Sequence, residues 1–316
     1  MEKRSLGKSS LEVAPIALGG NVFGWTIDEK KSFEILDGFV AAGFNLIDTA
    51  NTYSRWKEGN TGGESETIIG NWIKQRNNRS KVIIATKVGG DMGSGKSISK
   101  KNILAGAEQS LKRLQTDYID LYQTHWDDNE TPVEETLSAY QQLISEGKVK
   151  YIGASNLSPQ RLLASLEASE KMGLPRYETF QPEYNLYARE KFEYELDKIC
   201  TDHNLGVISY YSLAAGFLTG KYRSDADATK SARGESNKKY LNERGIRILE
   251  ALDRESAKYN TSLASIAIAW LIARPSVTAP IASVTTLAQL DELVKSVQVE
   301  LDTDSINALN NASSWH

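Results

Sequence analysis

Four side chains in this sequence have the types and setting to exchange protons with a small molecule: Asp48, Tyr53, Lys87 and His125. Each follows a short apolar run. Phe44-Asn45-Leu46-Ile47 ends in Asp48-Thr49-Ala50, with Tyr53 just beyond; Val82-Ile83-Ile84-Ala85-Thr86 ends in Lys87; Tyr118-Ile119-Asp120-Leu121-Tyr122-Gln123-Thr124 ends in His125. A charge at the end of a buried run is costly unless it is paired or used. A phenol with an ordinary pKa of about 10 is a poor proton donor or acceptor at neutral pH. A lysine cation beside it favours the phenolate, and a carboxylate holds that lysine in place and charged. A neutral histidine nearby would orient a carbonyl oxygen. Such a set delivers a proton to an oxygen while hydride reaches the carbon. Side chains donate no hydride, so the chemistry requires a nicotinamide cofactor.

Other chemistries find less support. No Gly-x-Gly-x-x-Gly follows a strand-like run, and there is neither a Walker lysine motif nor a nucleophile elbow. Of the three histidines, His316 is terminal and none shares a helix face with His125, so no metal site is expected. The single Cys200 excludes a disulfide and reads as a core thiol. Lys87 would also suit the Schiff base of a barrel aldolase or isomerase, which predicts borohydride trapping of substrate without nicotinamide. Taken singly, each residue has a plain structural reading: Asp48 as a cap, Tyr53 as a surface aromatic, Lys87 snorkelling, His125 satisfied in the core. Their joint occurrence at strand ends favours catalysis.

The elements that must hold them alternate. A turn cluster at Gly7-Lys8-Ser9-Ser10 predicts a β-hairpin. Strand-like runs then begin near Ile16, Phe44, Val82, Tyr118, Val149, Tyr177, Gly206 and Val277, the last covering Val277–Ile281. Between them fall helical patterns from Asp28 to Ala42, Gly63 to Arg76, Ser99 to Leu114, Thr131-Pro132 to Gly147, Ser158-Pro159 onward, and Ala188 to His203. A long polar loop covers about 216–240, two helices precede the last strand, and two helical segments follow it. Alternation with short connections implies a parallel sheet. Eight such units in 316 residues fit one α/β domain, 1–316, folded as a (β/α)8 TIM barrel, with the hairpin closing one mouth and extra C-terminal helices. In such barrels the site forms at the C-terminal ends of the strands, where the four residues fall. Trp25, Trp56 and Trp126 follow the first, second and fourth strands and are candidate walls of a carbonyl pocket.

Composition agrees. Hydrophobic residues at 40% and charged residues at 25% describe a soluble globular protein, and a net charge of −4 provides no basic field for nucleic acid. No apolar run approaches the roughly 20 residues of a membrane span, and no apolar segment follows the first residues as in a secretory signal. A cytoplasmic protein, monomeric or weakly self-associating, with a small carbonyl or alcohol as partner, is expected.

Several motifs occur in order: Gly43-Phe44-Asn45-Leu46-Ile47-Asp48-Thr49-Ala50 with Tyr53; Thr86-Lys87; Asp120-Leu121-Tyr122-Gln123-Thr124-His125; Gly153-Ala154-Ser155-Asn156; Gln181-Pro182-Glu183-Tyr184-Asn185; and Leu218-Thr219-Gly220-Lys221-Tyr222. With these the chain resembles the aldo-keto reductases over essentially its whole length, and in particular the branch of bacterial general-stress reductases and potassium-channel β subunits. The resemblance implies the barrel and NADP(H)-dependent reduction of aldehydes and ketones, or oxidation of the matching alcohols, sugar-like ones included. It makes Tyr53 the general acid/base, Lys87 and Asp48 its partners, and His125 the residue that orients substrate. It carries the nicotinamide carboxamide to Ser155, Asn156 and Gln181, the nicotinamide end to Gly19, Gly20 and Asp48, and the pyrophosphate to Ser212, Leu213 and Gly216. Tyr210 or Tyr211 stacks on the ring, and counting back from Gly220-Lys221-Tyr222 favours Tyr210. At the adenosine end it points to Ser283, Gln289 and Glu292. The sequence between Ser283 and Gln289 lacks a cation for a 2′-phosphate. Lys221 and Arg233 are placed to supply one, and NAD(H) use stays open. Little chain follows the last helix, so an open pocket is expected. The same branch offers an alternative role, an NADP(H)-binding regulatory subunit that senses redox state and turns over slowly. The lack of a segment before the hairpin argues against channel gating.

Overall fold

The computed structural model describes residues 2–230 and 234–316. A short antiparallel hairpin, β1 (Arg4–Ser5) and β2 (Glu12–Val13), comes first. Eight parallel strands follow: β3 (Ala17–Gly19), β4 (Leu46–Asp48), β5 (Ile83–Val88), β6 (Ile119–Thr124), β7 (Val149–Ser155), β8 (Tyr177–Gln181), β9 (Gly206–Val207) and β10 (Ile281–Ala282). They run side by side in the order β10-β3-β4-β5-β6-β7-β8-β9. Backbone bonds join the two ends of that row: Thr278 N–H donates to the Val207 carbonyl and Ile281 N–H to the Ser209 carbonyl, both at 2.8 Å. The result is the (β/α)8 barrel.

The last strand departs from expectation. It lies at Ile281–Ala282 rather than starting at Val277. Residues 278 and 279 donate to β9, while the Pro280 carbonyl accepts from Ala17 N–H at 3.0 Å on the other side. Pro280 has no N–H of its own, so this stretch bridges two strands before regular pairing begins.

Helices α1 (Glu29–Ala41), α2 (Glu64–Arg76), α3 (Lys100–Leu114), α4 (Val133–Ser145) and α5 (Pro159–Met172) surround the first strands. Asp28, Ser99 and Ser158 cap α1, α3 and α5 by accepting from the third residue on. Thr131 does not cap α4: its hydroxyl donates to Asp128 Oδ2 at 2.6 Å, and Pro132 takes the cap position. The expected helix over 188–203 has a π-helical turn, Phe192–Leu196, leading into α6 (Asp197–Asp202). Then come α7 (Gly234–Asn237), α8 (Glu243–Tyr259), α9 (Leu263–Ile272), α10 (Leu287–Lys295) and α11 (Thr303–Ala312). Among the described residues no helix is long and apolar enough to cross a membrane.

The barrel interior explains where the chemistry sits. Successive side chains on a strand alternate between faces. Ala17, Leu46, Ala85, Leu121 and Ile208 therefore form an inner apolar cluster, joined from below by Leu6, Leu11 and Val13 of the hairpin. Each fully buried leucine contributes roughly 1.5–3 kcal/mol. The hairpin seats itself through Gly7, at φ +60°, where any Cβ would lie 2.1 Å from the Glu178 carbonyl oxygen. Two residues further along the strands, the same inward parity brings Asp48, Lys87, Gln123, Ser155 and Gln181. The barrel is plugged with hydrocarbon at one end and with charge and amide at the other.

Candidate active site

Lys87 is fully buried and its ammonium donates three hydrogen bonds: to Asp48 Oδ2 at 2.7 Å, to the Thr49 carbonyl at 2.8 Å and to the Tyr53 hydroxyl at 3.0 Å. The Tyr53 hydroxyl in turn donates to Asp48 Oδ2 at 3.1 Å. The other Asp48 oxygen accepts from Gln181 Nε2 at 2.9 Å, with Gln123 Nε2 at 3.5 Å. All the acceptor capacity of a buried carboxylate is thus answered, as its burial requires. The His125 ring stands 6.1 Å from the Tyr53 ring, edge to face. The structure brings Asp48, Tyr53, Lys87 and His125 into one cluster.

The electrostatics differ from expectation in one respect. Burial raises the Tyr53 phenol well above its ordinary value of 10.0, and Asp48 adds to this both through space and by its hydrogen bond. The sequence reading had Lys87 favouring the phenolate, but desolvation and Asp48 prevail. Burial also lowers the Lys87 ammonium, against the opposing pull of Asp48 and Glu66. Burial depresses His125 well below 6.5, with Lys87 and Lys96 adding to the effect, so its ring is neutral at physiological pH. Its buried Nδ1 has no hydrogen-bond partner among the described residues.

These groups open onto a cavity of about 1180 Å³ that extends past the ends of β7–β10. Asp48, Tyr53, His125, Trp56, Trp126, Ser155, Asn156, Gln181, Tyr210, Ser212, Leu213, Gly216, Lys221, Ser283, Gln289 and Glu292 all line it. Three expected members do not. Lys87 is fully buried and meets the cavity only through its contacts with Asp48 and Tyr53. Gly20 is packed behind the wall, its carbonyl accepting from Ser65 Oγ at 2.8 Å, while Gly19, expected beside it, does line the cavity. Trp25 stands behind Trp56, edge to face at 5.5 Å, so it supports the wall without forming it. Arg233 lies outside the described residues.

The amide-bearing residues form one network beside the acid–base cluster. Ser155 Oγ donates to the Gln181 carbonyl at 2.8 Å. Asn156 Nδ2 donates to Ser155 Oγ and to the His125 carbonyl, both at 3.0 Å, and the Tyr210 hydroxyl donates to Asn156 Oδ1 at 2.8 Å. Tyr210 is part-buried within this network, whereas Tyr211 is 50% exposed. Farther along, Ala214, Ala215 and Gly216 all have positive φ, which turns a run of backbone tightly around one side of the cavity. Lys221 reaches toward this turn. Ser283 Oγ donates to Asn21 Oδ1 at 2.6 Å, Gln289 accepts from Thr285 N–H at 2.8 Å, and Glu292 pairs with Lys295 at 2.9 Å.

Sequence reasoning missed several participants. Gln123 is one, and its inward parity with Leu121 is the signal that marks it. Glu66 is fully buried on α2, where it accepts from Thr86 Oγ1 at 2.5 Å and pairs with Arg113 at 2.7 Å, tying β5 to its helices. In sequence it is one more first-turn acid. Arg55 and Lys96 also line the cavity, from loops whose polarity gave no signal. Among the described residues no group of three or more His, Cys, Asp or Glu is arranged to hold a metal ion.

A closed parallel barrel with a buried acid–base cluster opening into a long cleft at its strand ends defines a barrel enzyme of the small-molecule kind. The chain belongs to the Aldo/keto reductase family, which it matches over residues 15–314, and is an oxidoreductase of that family. It is 36% identical over 318 residues to the uncharacterized oxidoreductase YrpG of Bacillus subtilis, covering 98% of this chain and 95% of the relative. With a probable voltage-gated potassium channel subunit beta of Arabidopsis thaliana the identity is 34% over 308 residues, 95% and 92% of the two chains. With protein tas of Escherichia coli it is 32% over 330 residues, 96% and 95%.

Proposed function

We propose that the protein reduces aldehydes and ketones with NADP(H), and oxidises the matching alcohols in reverse, with Tyr53 as the general acid/base. The observation that carries this reading is the contact of one buried ammonium, Lys87, with both Asp48 and the Tyr53 hydroxyl, next to a neutral His125 on a shared cavity.

The residues present fit a dinucleotide. Amide and hydroxyl groups of Ser155, Asn156 and Gln181 stand beside the acid–base cluster, matching a carboxamide in donors and acceptors. The positive-φ turn at 214–216 exposes backbone to a diphosphate, and Lys221 on the same wall supplies a cation for a phosphate. When bound, the nicotinamide supplies hydride to the carbonyl carbon. His125, neutral, donates its ring N–H to the carbonyl oxygen and so orients it without adding charge. Tyr53 holds the proton that this oxygen receives. Lys87 stabilises the phenolate left behind, and Asp48, fixed by Gln181, holds Lys87. Trp56 and Trp126 wall the approach, and NAD(H) is a second cofactor the same cleft accepts.

Single-turnover reduction of a reactive aldehyde by bound NADPH tests the reading. Wild-type protein is expected to oxidise its bound NADPH rapidly. Tyr53→Phe should slow that step by about 10²–10⁴-fold, the usual contribution of a general acid, while NADPH binding followed by fluorescence changes little. Near-normal turnover by Tyr53→Phe would falsify the assignment. The 34% identity to a protein named as a channel β subunit supports a second reading, a redox-reporting regulatory subunit. Slow oxidation by the wild type itself would favour it.

A further inference from the structure

The substrate end of the cavity carries two cations without carboxylate partners. Arg55, in the loop after β4, and Lys96, in the loop after β5, both line the cavity together with Tyr53, Trp56, His125 and Trp126. Both cations are exposed. Ion pairing is widespread on this surface, yet neither Arg55 nor Lys96 lies within ion-pair distance of an acid among the described residues. Among the described residues the guanidinium of Arg55 makes a single hydrogen bond, from Nη1 to the Asp91 carbonyl at 3.2 Å. The ammonium of Lys96 rests over the Trp126 ring, 4.3 Å from its centroid. That indole lies 5.9 Å from the His125 ring, so the cation is one ring away from the residue that faces substrate.

One carboxylate shares this rim. Asp91 Oδ1 is committed to its own loop, accepting from Gly93 N–H at 2.7 Å and Gly95 N–H at 2.9 Å. Arg55 meets the backbone carbonyl of Asp91 and its charge also acts through space on that carboxyl, so one carboxylate stands against two cations at this mouth. The two tryptophans around it are 52% and 36% exposed, Trp56 and Trp126 respectively, which leaves the cations facing an entrance open to solvent.

We propose that this rim selects carbonyl substrates bearing an anionic group, a carboxylate or phosphate held a few atoms from the carbonyl on a flat or apolar body. The aromatic walls take that body, and Arg55 and Lys96 take the anion, the guanidinium offering paired donors and the ammonium a point charge. The proposal rests on the carbonyl-reductase reading of the same site.

Three probes share one ring: 4-formylbenzoate, its neutral methyl ester, and 4-(trimethylammonio)benzaldehyde. Each is reduced with NADPH at low and at high salt by the full-length protein. The anion is expected to exceed the ester in kcat/KM by about five- to tenfold at low ionic strength, the cation to fall below it, and the differences to shrink as salt screens the rim. In the double variant Arg55→Gln, Lys96→Gln the ratio of anion to ester should fall to about one. Because the ratio compares two substrates on one protein, loss of folded material cancels. Equal kcat/KM for anion and ester in the wild type, or a ratio unmoved in the double variant, overturns this inference and leaves the reductase reading intact. No reduction of any probe overturns both.

Discussion

Replacing Lys87 by methionine disturbs the site where its charges are most evenly balanced. The Tyr53 hydroxyl is 3.0 Å from the Lys87 ammonium and 3.1 Å from Asp48 Oδ2. A phenolate formed there meets an attraction and a repulsion of nearly equal size. With an effective dielectric constant of about 20, unit charges at the 3.0 Å separation interact by about 332/(20 × 3.0), or about 5.5 kcal/mol. Removing the ammonium leaves the Asp48 repulsion unopposed. A loss of about 5.5 kcal/mol in a step that generates the phenolate corresponds to about 10⁴ in rate. The carboxylate suffers as well. It loses its 2.7 Å partner while remaining buried, which costs about 3–5 kcal/mol of stability in comparable sites.

The informative comparison adds Asp48→Asn to Lys87→Met. An amide at position 48 no longer repels the phenolate and no longer needs a counter-ion, so the double variant should regain part of both the rate and the stability lost in the single variant. Single-turnover rates with bound NADPH and thermal unfolding measure the two quantities on the same samples. A Lys87→Met enzyme within tenfold of wild type would refute the electrostatic account. So would a double variant that melts no higher than Lys87→Met.

Two pH dependences follow from other groups. His125 is held well below 6.5, so kcat/KM should show no histidine inflection near 6.5; one that disappears in His125→Asn would contradict the neutral-ring assignment. Its depressed folded value also means that the unfolded chain takes up the proton first, so His125 contributes a loss of stability as pH falls below 6.5. Asp128 is lowered from 3.8 to about 2: burial raises it, but donors from Ile98, Thr131 and Glu130 prevail. Its contribution is therefore complete above 3.8 and lost as pH falls through about 2. Asp128→Ala should lower Tm at neutral pH, with the gap to wild type closing across that window; a gap that does not depend on pH would show that those hydrogen bonds are not the cause.

Much of the fold was legible because strand ends are chemically abrupt. Apolar runs that stop at Asp48, Lys87 and His125 reveal both the strand and the direction in which it points, and period-two parity does the rest. Side-chain caps at Asp28, Ser99 and Ser158 were readable because they depend on residues three apart. Where context from another strand decides, the sequence misled. Val277–Ile281 looks like a strand, but Pro280 and the competing bonds to β9 delay regular pairing with β3 until Ile281. Thr131 has a capping residue's chemistry, and Asp128 claims its hydroxyl. Trp25 has the right position along the chain and stands one layer too deep, a matter of packing against Trp56. Glu66 was invisible because its importance lies in burial against Thr86 and Arg113, which no local pattern encodes.

The raised phenol changes the argument about what this cluster is for. A site meant to hold Tyr53 as phenolate would place Lys87 against it and keep carboxylates away. Here Asp48 touches both, so its charge cancels much of the ammonium's effect on the hydroxyl, and burial decides the sign. On the proposed chemistry that arrangement favours an acid. Tyr53 keeps its proton at neutral pH until a carbonyl oxygen accepts hydride-driven charge. An alkoxide is far more basic than even a buried phenolate, so transfer is downhill when it comes. Lys87 matters as that transfer proceeds, when negative charge builds on the phenol oxygen 3.0 Å from its ammonium. Abstracting a proton from an alcohol asks the same residue to begin as phenolate, against both burial and Asp48. On the proposed chemistry Tyr53 therefore enters the step as an acid, and Asp48, the residue at the strand end, acts on both the phenol and the ammonium through one shared oxygen.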